Sequence, residues 1–411
     1  MKLGESTVGC AMDTDKFERQ RRHFPALRHW VYLDHASAGL YPKYAHDVMV
    51  EHLHHGANIG MAFEDFAGGW DCIARAKDDI ATMLQCDGED VAFGHSAASL
   101  FTIILNGLEL KSGDNIVSVA ALRESASATL QNRLPDGVSF RFAVPENGVV
   151  EPEQVFALVD RNTKAICLDH VVEASGFRHD LAMYGEYCRR NGILFGVDAT
   201  YSAGAMEIDV RAMQVDFLAA SGCKWLLSPQ GIGFAYISKP LQSRLKLADS
   251  GWGTTGNTAP SGHNAAHLEY GGLCPVGIQA LAGVVRQYNS LGSRDIQEYI
   301  LSLADYFHER IERDFQDIKI NGQIAPANRS NLVFIALPEQ LKMTDRKMME
   351  HGIRAHCLEE GTIVRLGFHY FNDRMDVDRL VNFLKRLESI SHRYGAKRDQ
   401  SVAKPRLKSY A

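Results

Sequence analysis

The chain has 411 residues, 45% hydrophobic and 23% charged, which excludes a disordered, collagen-like or coiled-coil protein. Lys and Arg total 44 against 50 Asp and Glu, and a net charge of −6 with a pI near 6.3 gives no polycationic surface, so no nucleic acid or membrane partner is expected. Eight cysteines at 10, 72, 86, 167, 188, 223, 274 and 357 form no CxxC pair, which speaks against a zinc ribbon, an iron–sulfur cluster or a disulfide scaffold and for a reducing compartment.

The first thirty residues are polar and lack the apolar run of a signal peptide, and no stretch of about 18 apolar residues follows, so a cytoplasmic location is expected. Residues 1–30 are predicted to be an arm packing with a small C-terminal domain. From VYLDHASAGLYP onward, short apolar runs at 90–93, 115–119, 165–168, 193–197, 217–220 and 233–237 alternate with amphipathic stretches such as 152–159 and 183–191. Strands spaced by helices predict βαβ units and a mostly parallel sheet in a large α/β domain over 31–275. Residues 239–275 are rich in Gly, Thr, Ser and Asn, a composition expected of a functional loop. Helices are predicted at 276–291, 296–315 and 377–391 and strands at 331–336 and 362–366, giving a smaller α+β domain over 276–395, followed by a charged tail at 396–411.

In an open parallel sheet, ligands gather at the carboxyl ends of the strands. The strand at 193–197 delivers Asp198 there, the strand at 217–220 is followed by SGCKWLLSPQGIGF with Lys224, and the strand at 90–93 leads through Gly94 and His95 to Ser96 at a helix start. A lysine and a carboxylate one βαβ step apart, near an anion-accepting helix N-terminus, can converge on one ligand.

The surrounding strings narrow the choice. VDATYSAGAMEIDVRAMQVDFLAASGCKWLLSPQGIGFAYIS resembles, in order, the acid, the bridge, the Schiff-base lysine and the P-x-G-x-G-F turn of the class V aminotransferase family of fold-type I pyridoxal-phosphate enzymes. That family includes cysteine desulfurases, selenocysteine lyases and isopenicillin N epimerase-like proteins. YLDHASAGLYP, ICLDHVVEASG, HLEYGGLCPVGIQAL and VRLGFHYFNDRMDVDRLVNFL resemble further family strings, so the likeness spans roughly residues 25–390. It implies the fold-type I architecture, pyridoxal 5′-phosphate as cofactor, and a homodimer whose active sites are shared between subunits. By the same resemblance Lys224 forms the internal aldimine and then moves the Cα proton. Asp198 pairs with the pyridine nitrogen and stabilises the quinonoid state. Ser96 and Ala97 offer backbone amides and Ser221 a hydroxyl to the phosphate, Thr200 lies against the ring, and Arg365 binds the substrate carboxylate.

Four cofactor-facing positions depart from the family strings. Ser125, in RESASATL, stands where a stacking histidine or aromatic ring is usual, and Gly272 replaces a phosphate-contacting threonine. Tyr201 replaces a glutamine or histidine facing the phenolic oxygen, and Glu173 replaces an asparagine or serine at a strand end. A carboxylate there is expected to pair with Arg178, His170 or a substrate cation, or else to point away. Cys357 is the candidate persulfide-forming thiol, although it lies close to Arg365 in sequence and a structural cysteine is the plainer reading. His170 is expected either near the cofactor or in the core.

The expected function is that of a pyridoxal-phosphate enzyme acting on an L-amino acid or amino-acid conjugate. β-Elimination of the C–S lyase or desulfurase type is preferred, with transamination, epimerisation and a non-catalytic scaffold of the same fold as alternatives.

Overall fold

A computed structural model of the chain describes residues 14–60, 70–119, 134–246, 264–270 and 273–401. Its centre is a seven-stranded sheet built from β2 (Val91–Gly94), β3 (Asn115–Val119), β4 (Ser139–Ala143), β5 (Thr163–Asp169), β6 (Leu194–Asp198), β7 (Phe217–Ser221) and β8 (Gly233–Ile237). Their spatial order is β2-β8-β7-β6-β5-β3-β4. The run from β7 to β4 is parallel, and β8 inserts antiparallel to both of its neighbours. Strands covered by helices on both faces read as continuous apolar runs, which is why AICLD, LFGVD and FLAAS announce themselves in the sequence. The mixed, half-exposed Ser139–Ala143 edge does not, and the sequence reading passed over it.

A four-stranded antiparallel sheet, ordered β12-β13-β10-β9, is built from β9 (Lys319–Ile320), β10 (Leu332–Ala336), β12 (His356–Leu358) and β13 (Ile363–Gly367). A two-stranded parallel pair joins β1 (Val31–Tyr32) to β11 (Ile353–Arg354), tying the start of the described chain to its C-terminal third. The N-terminal helix Asp15–Arg21 adds to that tie. Phe17 stacks on Tyr299 with centroids 4.3 Å apart, and Arg21 donates twice to the Asp376 carboxylate, at 2.7 and 2.9 Å.

Helix ends follow local chemistry. Helix Leu181–Asn191 begins two residues before its predicted start because the Asp180 carboxylate accepts from Ala182 N and Met183 N, and it stops at Gly192 in the left-handed region. The last helix, Arg374–Ser401, runs past its predicted end. Helix Pro275–Leu291 packs against helices Lys43–Asn58 and Trp70–Leu84. Among the described residues no helix is long and apolar enough to cross a membrane.

Candidate active site

The carboxyl ends of β2, β5, β6 and β7 bring polar groups to one edge of the central sheet. Asp198 is the last residue of β6 and is paired in register with Asp169, the last residue of β5, so adjacent parallel strands place two buried carboxyls side by side. Burial, then the charges of Asp198 and Glu173, push Asp169 well above the ordinary carboxylate range. Burial also raises Asp198, opposed by hydrogen bonds from Thr200.

From Asp198 a hydrogen-bonded path crosses the sheet edge. Thr200 N donates to Asp198 Oδ1 at 2.8 Å, Ser221 N donates to Thr200 Oγ1 at 3.2 Å, and Ala97 N donates to Ser221 Oγ at 3.0 Å. The path ends at the N-terminus of helix Ala97–Asn106. There Ser96 is the N-cap and exchanges hydrogen bonds with Ser99, leaving the positive end of the helix dipole at the sheet edge. A Cβ on Gly233 would stand 3.1 Å from the Ser96 backbone and 2.7 Å from the Ala220 carbonyl, so a glycine in β8 is what lets this helix start so close to the sheet.

Lys224 follows β7 by three residues. Its Nζ donates to the carbonyls of Ala36 at 2.6 Å and Ser37 at 2.8 Å, and it sits 5.8 Å from the centroid of the Tyr201 ring. The 34–39 loop is seated closely against it: Gly39 N donates to the Cys223 carbonyl, and a Cβ at Gly39 would fall 2.2 Å from the Lys224 carbonyl oxygen. The C-terminal sheet reaches the same place. Trp225 Nε1 donates to the Phe368 carbonyl, and Gly367 N donates to Leu33 O. Asn331 donates to the Tyr201 carbonyl.

Arg365, in β13, is thereby carried to Lys224's side of the molecule. Its Nη1 donates to Glu173 Oε1 at 2.8 Å and its Nη2 to Ser37 Oγ at 2.9 Å, with Asp34 Oδ1 at 3.8 Å. Glu173 pairs with neither Arg178 nor His170, two of the partners the sequence offered it. Arg178 is spent on the carbonyls of Arg329 and Ala327, and Glu173 takes Arg365 instead. Tyr201 lies beside the same carboxylate: burial first, then the charge and hydrogen bonding of Glu173, push its hydroxyl well above its usual range.

The remaining candidates are elsewhere. His170 N donates to the Asp198 carbonyl, but its buried imidazole lines a separate cavity of about 660 Å³ with His179, Tyr184 and Arg178. Successive residues of an extended chain face opposite ways, which sends Asp169 to one side and His170 to the other. Cys357 sits in β12, its amide held by Asp345, and burial followed by the Asp345 charge pushes its thiol up to about 12. Ser125 and Gly272 lie outside the described residues. Glu269, three residues before Gly272, is anchored by Lys77 and by the amide of Phe93.

The sequence reading missed Asp169, Ser37 and Asp34. All three stand inside strings quoted for other reasons, and only strand register or a loop fold aims them at this edge.

A family model described as aminotransferase class-V matches residues 31–380. A probable cysteine desulfurase of Methanothermobacter thermautotrophicus is 27% identical over 394 residues, which are 90% of this chain and 98% of that protein. The cysteine desulfurase IscS of Psychromonas ingrahamii is 28% identical over 231 residues, 54% of this chain and 57% of that protein. Among solved structures, the apo cysteine desulfurase from Thermococcus onnurineus NA1 superposes with a TM-score of 0.76 at 20% identity, covering 93% of this chain and 99% of that one. The cystine C–S lyase C-DES, in complex with its product cysteine persulfide, gives a TM-score of 0.78 at 20% identity, covering 88% of this chain and 99% of that one. The neighbours share the fold, and the match over residues 31–380 places the chain in the aminotransferase class-V family of pyridoxal-phosphate enzymes.

Proposed function

We propose that this chain is a pyridoxal-phosphate-dependent C–S lyase of desulfurase-like type, acting by β-elimination on an L-amino acid or amino-acid conjugate. The observation that carries this reading is the unbroken path Asp198–Thr200–Ser221–Ala97, which has an acid at one end and a helix N-terminus at the other, with Lys224 across Tyr201. This donor set fits the cofactor. Asp198 would hold the pyridine nitrogen, and a cationic ring nitrogen there would offset the burial that raises this acid. The Ser221 hydroxyl, held by the Ala97 amide, would donate to the phosphate together with the next amide at the start of helix Ala97–Asn106. Thr200, bonded to both Asp198 and Ser221, would lie against the ring.

The chemistry supplied by pyridoxal 5′-phosphate is an aldehyde for amines and a ring that draws electrons from the substrate α-carbon. Lys224 would provide the amine that holds the aldehyde; once the substrate amine has displaced it, its freed Nζ, oriented by the Ala36 and Ser37 carbonyls, would take the proton from the α-carbon. With the α-proton removed and the cofactor drawing off electrons, the C–S bond would break with its electron pair leaving on sulfur. Arg365 orients the carboxyl end of the substrate. Cys357, with its thiol held protonated, is a structural cysteine on this reading.

We assign the chain to a homodimer in the cytoplasm. The helix Lys43–Asn58 supports the dimer by leaving Val50 and Leu53 exposed, with Ile59 just past its end. Sedimentation equilibrium checks it. The chemistry is tested by incubating purified holoenzyme with a panel of amino acids and measuring sulfide, ammonia and pyruvate, with Lys224→Ala as the inactive control. Keto-acid-dependent turnover without ammonia would overturn the lyase reading in favour of transamination.

A further inference from the structure

The arginine expected to meet the substrate carboxylate already holds one. Arg365 is nearly buried, with a side chain 8% exposed, whereas its partner Glu173 is 39% exposed. Ser37 Oγ takes the second guanidinium nitrogen. Arg365 Nε is buried without an acceptor among the described residues. Glu173 and Tyr201, two of the positions at which the sequence departs from the family strings, therefore stand together over the residue whose charge matters most for substrate choice.

A substrate carboxylate approaching this arginine meets a neutralised ion pair. To bind Arg365 it must first expel Glu173, and the displaced carboxylate remains nearby and repels it. A neutral carbonyl faces no such contest. It carries no charge to contend with Glu173, so the ion pair can stay closed while it binds. Building on the functional reading above, we infer that Glu173, by holding Arg365 in an ion pair, selects amine substrates whose carboxyl group is masked as an amide or ester over free α-amino acids.

The test uses ligands without a β-leaving group, so its outcome does not depend on whether the enzyme eliminates. Holoenzyme is titrated with L-alaninamide and with L-alanine, and dissociation constants are read from the absorbance change of the bound cofactor. The wild type is expected to bind L-alaninamide at least about tenfold more tightly than L-alanine, and Glu173→Gln to erase about tenfold of that preference by improving L-alanine. Because the amide also lowers the pKa of the amine, the change in the ratio between wild type and variant is the decisive quantity. Tyr201→Phe, which leaves Glu173 in place without its hydroxyl neighbour, is expected to move the ratio in the same direction by less. An unchanged ratio in Glu173→Gln, with the variant retaining cofactor and native circular dichroism, overturns the inference. A holoenzyme with no spectral response to either ligand also overturns the inference, whereas a purified protein that takes up no pyridoxal 5′-phosphate overturns instead the reading on which it rests.

Discussion

Two carboxyls in register decide much of the site's acid–base behaviour. Asp169 and Asp198 are both buried, and each is raised first by burial, with Asp198 and Glu173 adding to the shift at Asp169. A carboxyl whose folded value is raised contributes stability that is complete below its unfolded value and is lost as pH rises through the folded one. At neutral pH Asp169 is therefore a burden on the cofactor-free protein. Asp169→Asn is expected to raise the melting temperature of the apoenzyme at pH 7 by a few degrees, with the gain shrinking toward pH 4; each pKa unit of relief corresponds to about 1.4 kcal/mol. Scanning calorimetry across that range checks it, and a variant less stable than wild type at pH 7 would refute it. Neither the burial nor the pairing of Asp169 could be read from the string ICLDHVVEASG. Strand register, which no single string encodes, creates both.

The unit that positions Lys224 is a loop, not a strand. Residues 34–39 supply two carbonyls to Nζ, pack Gly39 against the Lys224 backbone, and give the Ser37 hydroxyl to Arg365. Gly39→Ala would set a methyl group 2.2 Å from the Lys224 carbonyl oxygen, a contact between two backbones that only a shift of one of them can relieve. The expected outcome is a holoenzyme that still folds but loses about tenfold or more in kcat, the scale on which small misplacements of a catalytic group act. Single-turnover kinetics with an unchanged circular dichroism spectrum would show this, and wild-type kcat would exclude it. The sequence marked YLDHASAGLYP as meaningful, yet its turn residues could not say which side chain the loop would serve.

Across the whole molecule, buried imidazoles set the response to acid. His170, His179 and His369 are each buried and lowered from their ordinary value of 6.5 to about 3, burial being the first cause in every case. A base with a depressed folded value favours the fold above its unfolded value and works against it as pH falls below, by up to about 1.4 kcal/mol per pH unit for each ring. The raised carboxyls act in the opposite sense over part of this range, and His35 and His308, also lowered first by burial, act with the three rings. The apoenzyme is expected to lose stability steadily from about pH 6.5 down to pH 4, and His170→Gln to reduce the slope. Chemical denaturation at stepped pH measures it, and a flat profile would contradict it.

The sequence by itself determined the alternating α/β pattern, the placement of Asp198, Ser221 and Lys224 at strand ends, and the family. These follow from apolar runs, glycine turns and ordered strings that act over a few residues. Only the tertiary structure decided that Glu173 would close on Arg365, that Asp169 would stand beside Asp198, and that His170 would face away into another cavity. Those outcomes depend on strand register and on how the two larger sheets meet, and they join residues as far apart in the chain as Glu173 and Arg365. Contacts of that kind are fixed by packing over long separations, where the local rules of helix and turn have nothing to say.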